Sequence, residues 1–112
     1  MRHPILVASL FLFTAAPALA DEAGAERTWK AKCGSCHGND GKAQTEKGKK
    51  MEMRDIASAE FQKASDEDMK KAINDGLKKD KGGVKQEMEG FKEDIKAPEV
   101  EALVKYMREF KK

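Results

Sequence analysis

The only two cysteines lie three positions apart and are followed at once by a histidine, in the run Cys33-Gly34-Ser35-Cys36-His37. Two thiols at this spacing can each form a thioether to one vinyl group of a porphyrin, with the adjacent imidazole held beneath the iron. The spacing therefore matches covalent haem attachment through Cys33 and Cys36, with His37 as the proximal axial ligand. Three plainer readings compete. A disulfide between Cys33 and Cys36 would close a very short loop and restrict the unfolded chain little. A thioredoxin-type dithiol needs a βαβ setting, and no run here alternates at period two with β-branched residues. A zinc site wants four ligands, and beyond residue 20 the chain has two Cys and one His, leaving a carboxylate to complete the tetrahedron.

The start of the chain favours the haem reading. Residues 1–20 carry Arg2 as a positive leader, an apolar run from Ile5 to Phe13, and Ala18-Leu19-Ala20 as a small-x-small cleavage site. The run is shorter than the roughly 20 residues a spanning helix needs, and Pro17 interrupts its end. Residues 1–20 are thus expected to be a cleaved secretory signal and residues 21–112 a single exported, periplasmic domain. In bacteria c-type haem is attached outside the cytoplasm. Removing Arg2 leaves 21 Lys+Arg against 20 Asp+Glu with interspersed signs, which gives no support for nucleic-acid binding. Fourteen apolar residues fall in the first 20 positions, so only about a third of the remaining 92 are apolar. That is thin for a domain this small, which needs a staple or a cofactor to fill its middle.

Helical patterns organise what remains. Ala25, Trp29 and Cys33 share one face of a first helix expected from about Glu22 to Cys33. A turn at Gly38-Asn39-Asp40-Gly41 leads into a polar loop, expected to be mobile, to about Lys50, and a short helical piece is expected near Ser58 to Lys63. Ser65 caps a helix that carries Met69, Ala72 and Ile73 and stops at Gly76. The stretch Lys78 to Lys85 reads as a Gly-broken basic loop. The last helix opens at Pro98 and repeats Val100, Leu103, Val104 and Met107 at i, i+3, i+4 and i+7. Its apolar face is expected to meet the first helix, with Trp29 against Leu103 and Tyr106. No strand is expected.

The second axial position of the iron is open to a methionine, because His3 would leave with the signal. Met69 and Met107 stand at core spacing on helix faces. Met51 and Met53 lie in an irregular segment behind the Cys-His motif, and Met88 lies in a loop flanked by Gly82-Gly83 and Gly90. Met88 is the favoured ligand, with Met51 and Met53 remaining as candidates.

From about residue 24 to 111 the chain resembles the small class I cytochrome c family. The resemblance rests on Trp29 four residues before Cys33, on Cys33-x-x-Cys36-His37-Gly38 followed by Asp40-Gly41, on Ile73-Asn74-Asp75-Gly76, on Met88-x-x-Phe91, and on Val100-x-x-Leu103-Val104-x-Tyr106-Met107-Arg108. It implies an all-α, cytochrome c-like fold of three to five short helices around one covalently bound haem c, with the first and last helices crossing. It also implies Met88 as the distal axial iron ligand. Two positions depart from the family pattern: Glu89 stands where Pro often follows the ligand Met, and Ala25 stands where the crossing helix usually has Gly. The acceptor for the other ring nitrogen of His37 is expected from the 42–50 segment.

With both axial positions filled the iron has no open site, so the expected function is one-electron carriage rather than enzymatic catalysis. Partners would be a membrane oxidoreductase or a periplasmic enzyme that docks transiently on a monomer, with Lys78, Lys79, Lys81 and Lys85 as a candidate docking face. Two alternatives stay open: a haem-based small-ligand binder or sensor, and a cytochrome subunit of a larger oxidoreductase.

Overall fold

The computed structural model describes residues 22–110 together with Ala8 and Ser9. The rest of the expected export signal, Asp21, Lys111 and Lys112 lie outside the described residues. The first helical stretch is continuous from Glu22 to His37 but changes pitch twice. α1 (Glu22–Thr28) passes into a π-helical turn (Trp29–Cys33) and then into α2 (Gly34–His37). The wider turn is closed by the Gly34 N–H donating to the Trp29 carbonyl. Such π turns are uncommon and cluster at functional positions; this one leaves both Trp29 and Cys33 buried.

The expected polar loop contains α3 (Glu46–Lys50), whose N-terminus is capped by the Thr45 hydroxyl accepting from the Gly48 N–H. Next come α4 (Ala59–Gln62), capped by Ser58, and α5 (Asp66–Asp75), capped by Ser65 with three acids in its first turn. These acids suit the positive end of the helix dipole. α5 stops at Gly76, whose φ of 76° an L side chain would adopt only with strain.

An antiparallel hairpin then departs from the all-α expectation. β1 (Leu77–Lys81) pairs with β2 (Val84–Met88), with Lys81 opposite Val84 and Leu77 opposite Met88. Gly82 and Gly83, at φ 59° and 87°, form a two-residue turn that matches the right-handed twist of paired strands, and the Gly83 N–H donates to Asp80 Oδ1 at 2.9 Å. The stretch read as a Gly-broken basic loop is this hairpin.

α6 (Ala97–Glu109) closes the chain. It packs against α1 and α5, burying Val100, Leu103, Val104 and Met107 among Trp29, Ile56, Ile73, Phe91 and Ile95. Ala25 is buried on α1. The expected aromatic pairing is present, with the Trp29 and Tyr106 rings 6.0 Å apart, and Phe110 completes it at 5.2 Å from Trp29. Among the described residues no helix is long and apolar enough to cross a membrane.

Candidate haem site

The π turn and α2 present the Cys-His motif from one side of a cleft. Cys33 is buried and Cys36 half-buried, both as free thiols. Burial, reinforced by the nearby Cys36, pushes the Cys33 thiol up to about 11, so it stays neutral at ordinary pH. Burial also lowers the pKa of His37. A neutral imidazole with a free nitrogen lone pair is the form that binds a metal.

The cleft has a volume of about 320 Å³ and brings together residues far apart in sequence. His37 lines it from α2. Met51 and Met53 line it from the segment after α3, and Met88 lines it from the end of β2. Arg54, Phe61, Leu77, Lys79 and Lys81 are also on its wall, and the Arg54 guanidinium stacks 5.5 Å from the centre of the Phe61 ring. Met69 and Met107 are instead packed in the core, as their helical spacing predicts. The sequence-derived ligand candidates therefore converge, and the cleft keeps all three loop methionines in play.

Met88 is held to the body at its C-terminal side. The N–H groups of Phe91 and Lys92 donate to the carbonyls of Ile73 and Asn74 at 2.8 and 3.2 Å, at the C-terminal end of α5. Gly76 and Gly90 make this approach possible. A Cβ on Gly76 would collide with the Met88 carbonyl, and one on Gly90 would lie 2.5 Å from the Asn74 carbonyl.

The backbone of the Cys-His motif is fixed from the following segment. The Ala43 N–H donates to the His37 carbonyl at 2.8 Å, and the Thr45 hydroxyl donates to the Cys36 carbonyl at 2.5 Å. The imidazole itself is not. Its Nδ1 is buried with no hydrogen-bond partner among the described residues, so the 42–50 segment does not supply the expected acceptor. Much of this segment is α3 and the turn that follows it. The carbonyls of Thr45, Lys47, Gly48 and Lys49 already accept from Lys49, Met51, Met53 and Glu52.

A neutral imidazole and three soft thioethers on one cleft, with two thiols just before the imidazole in the chain, form a donor set that suits haem iron. Among the described residues no group of three or more His, Cys, Asp or Glu is placed to hold a metal, which weighs against zinc. Comparison with known proteins agrees. The family model described as cytochrome c oxidase, cbb3-type, subunit III matches residues 20–107. The chain belongs to this family of c-type cytochrome domains. Family membership implies haem c binding and haem-based electron transfer. Among solved structures, the domain is similar to the c-type cytochrome KustC0563, with 38% identity, a TM-score of 0.64, and coverage of 79% of this chain and 98% of that one. A Tyr-to-Phe variant of KustC0563 matches at 37% identity and a TM-score of 0.61, covering 78% and 98% of the two chains. No curated protein matches this cytochrome at significant similarity. The cytochrome c-like fold is thus established for the domain, with the β1–β2 hairpin as an addition to its helices.

Proposed function

We propose that the protein is an exported single-haem electron carrier in which Cys33 and Cys36 form the thioethers, His37 is the proximal ligand and Met88 the distal one. The observation that carries this reading is that His37, which directly follows Cys36 in α2, and Met88, at the end of β2, line one cleft. When bound, the haem supplies reversible one-electron Fe(II)/Fe(III) exchange.

The chain's own residues have three tasks. His37 offers a neutral ring nitrogen that burial keeps unprotonated. Met88 offers a thioether, a soft ligand that favours the reduced iron and raises the potential. Phe61, Met51 and Met53 give the cleft apolar surface, which disfavours the extra charge of the oxidised state. With both axial positions taken, no position is left for a substrate, so the protein carries electrons and is not an enzyme. Residues 1–20 direct export to the periplasm, and residues 21–112 act as a soluble monomer. Lys79 and Lys81, at the cleft wall, steer a redox partner towards the haem edge.

Visible and near-infrared spectra of the purified holoprotein test this reading. A weak charge-transfer band in the oxidised form marks iron–thioether ligation, and Met88→Ala is expected to abolish it. An unchanged spectrum in that variant would pass the role to Met51 or Met53. A second reading, a cytochrome subunit of a larger oxidase, is favoured by the description of the matching family. Its mark is co-purification from the native membrane as a stoichiometric component; a carrier is released with the soluble fraction.

A further inference from the structure

Gln86 stands two residues before Met88 on β2, so both side chains project from the same face of the strand. Its Nε2 donates two hydrogen bonds, at 2.7 Å to the Met51 carbonyl and at 3.1 Å to the Glu52 carbonyl. Among the described residues these are the only hydrogen bonds that join the hairpin, between Leu77 and Met88, to the rest of the domain. The accepting backbone is itself fixed. Glu52 holds a φ of 50°, uncommon for a residue with a side chain, and the N–H groups of Glu52 and Met53 are bound to Lys49 and Gly48. The hairpin also meets the body at its base, where Gly76 and Gly90 flank it and Met88 packs against the core.

We infer that Gln86 is a positioning residue: its amide latches the hairpin to the Met51-Glu52 backbone and so holds Met88 over the cleft in ligating position. This rests on the assignment of Met88 as the distal ligand and adds the device that keeps it in place. Without the latch, Met88, in the last residue pair above the glycine-flanked base, loses the restraint two residues up its own strand and keeps only the contacts at the base. An external ligand then competes for the iron more easily, because Met88 spends more time away from it. The same two hydrogen bonds fix the spacing between Met88 and the competing thioethers of Met51 and Met53.

The test uses the haem-loaded protein and imidazole as the competing ligand, followed by the Soret shift. Gln86→Leu removes both donors without adding a group that could bind iron, and its imidazole affinity is expected to rise about tenfold, as two lost hydrogen bonds imply. Gln86→Arg restores donors of sufficient reach and is expected to stay within about threefold of the native affinity. On heating Gln86→Leu, the near-infrared iron–thioether band should fade at a lower temperature than the helical circular dichroism, which separates release of Met88 from a general loss of stability. Native imidazole affinity in Gln86→Leu overturns the inference while leaving the ligand assignment intact. An unchanged near-infrared band in Met88→Ala overturns the ligand assignment and the inference with it. If Gln86→Leu fails to fold, NMR of the reduced native protein decides: slow exchange of the Gln86 side-chain amide supports the latch, and exchange at the free-amide rate overturns it.

Discussion

The indole of Trp29 lies with its centre 5.6 Å from that of the His37 imidazole, tilted by 38°, and donates its Nε1 hydrogen to the Gly38 carbonyl at 2.9 Å. One side chain thus packs on the imidazole proposed as the proximal ligand and ties down the residue that follows it. Trp29→Phe keeps an aromatic ring but leaves that carbonyl without its donor. A loss of about 1–3 kcal/mol in holoprotein stability is expected from denaturant unfolding, with the haem still attached.

Ala25 is buried on α1, and α1 packs against α6. Ala25→Leu adds volume where the two helices have none to give. Overpacking of this kind costs about 1–3 kcal/mol, and a lowered unfolding midpoint is expected without change in the visible spectrum. Ala25→Gly, with less side chain, removes no hydrogen bond and should cost only about 1 kcal/mol, mostly through helix propensity.

Gly76→Ala combines a positive φ with a Cβ directed at the Met88 carbonyl. The neighbouring groups are backbone and cannot rotate away, so the Met88 segment must move. Loss or weakening of the iron–thioether band is expected, together with a fall in reduction potential measured by voltammetry. Retention of both would show that the segment relaxes without disturbing the ligand.

Lys79 and Lys81 stand at the cleft wall, where charge acts on the rate at which an acidic redox partner arrives. Lys79→Glu with Lys81→Glu is expected to lower the second-order rate constant of electron exchange with such a partner at low ionic strength. The difference should shrink as salt is added. Stopped-flow measurements across a salt series check it, and equal rates at low salt would remove these lysines from docking.

The haem-free chain is expected to be largely unfolded, because its buried residues alone make a small core and the cleft would be left without its filling. A Cys33→Ala, Cys36→Ala double variant should therefore show poor NMR dispersion and weak helical circular dichroism. A well-dispersed spectrum would mean that the core around Trp29, Ile73 and Leu103 suffices by itself.

The helices with strong end signals were legible from sequence. Ser65 with its acids, Gly76 and Pro98 mark boundaries that the structure places within a residue or two, and the Trp29–Tyr106 contact followed from two apolar faces needing each other. The hairpin was not legible by periodicity, because all five residues of β1 are exposed and four of the five are charged. A strand that buries neither face shows no alternation. The usable signal was the Gly82-Gly83 pair at the turn. α3 was missed because it is five residues long with a glycine at its centre; Thr45 is its one local cue. The π turn left no mark in the sequence, since it arises from packing around Trp29 and Cys33. At the site, the motif and the methionines could be read directly, whereas Gln86 could not, because its partners lie 34 and 35 residues away and are backbone atoms.

The tip of the hairpin carries a practical consequence. Nothing lies within 4 Å of where a Cβ would stand on Gly82 or Gly83, while the constraints on Met88 all act at Gln86 and below. Extra residues inserted between Gly82 and Gly83 would extend into solvent, with no neighbour to displace. The tip is therefore a natural tether point: a surface linker, a fluorophore or an electrode anchor could be grafted there, next to Lys81 on the cleft wall.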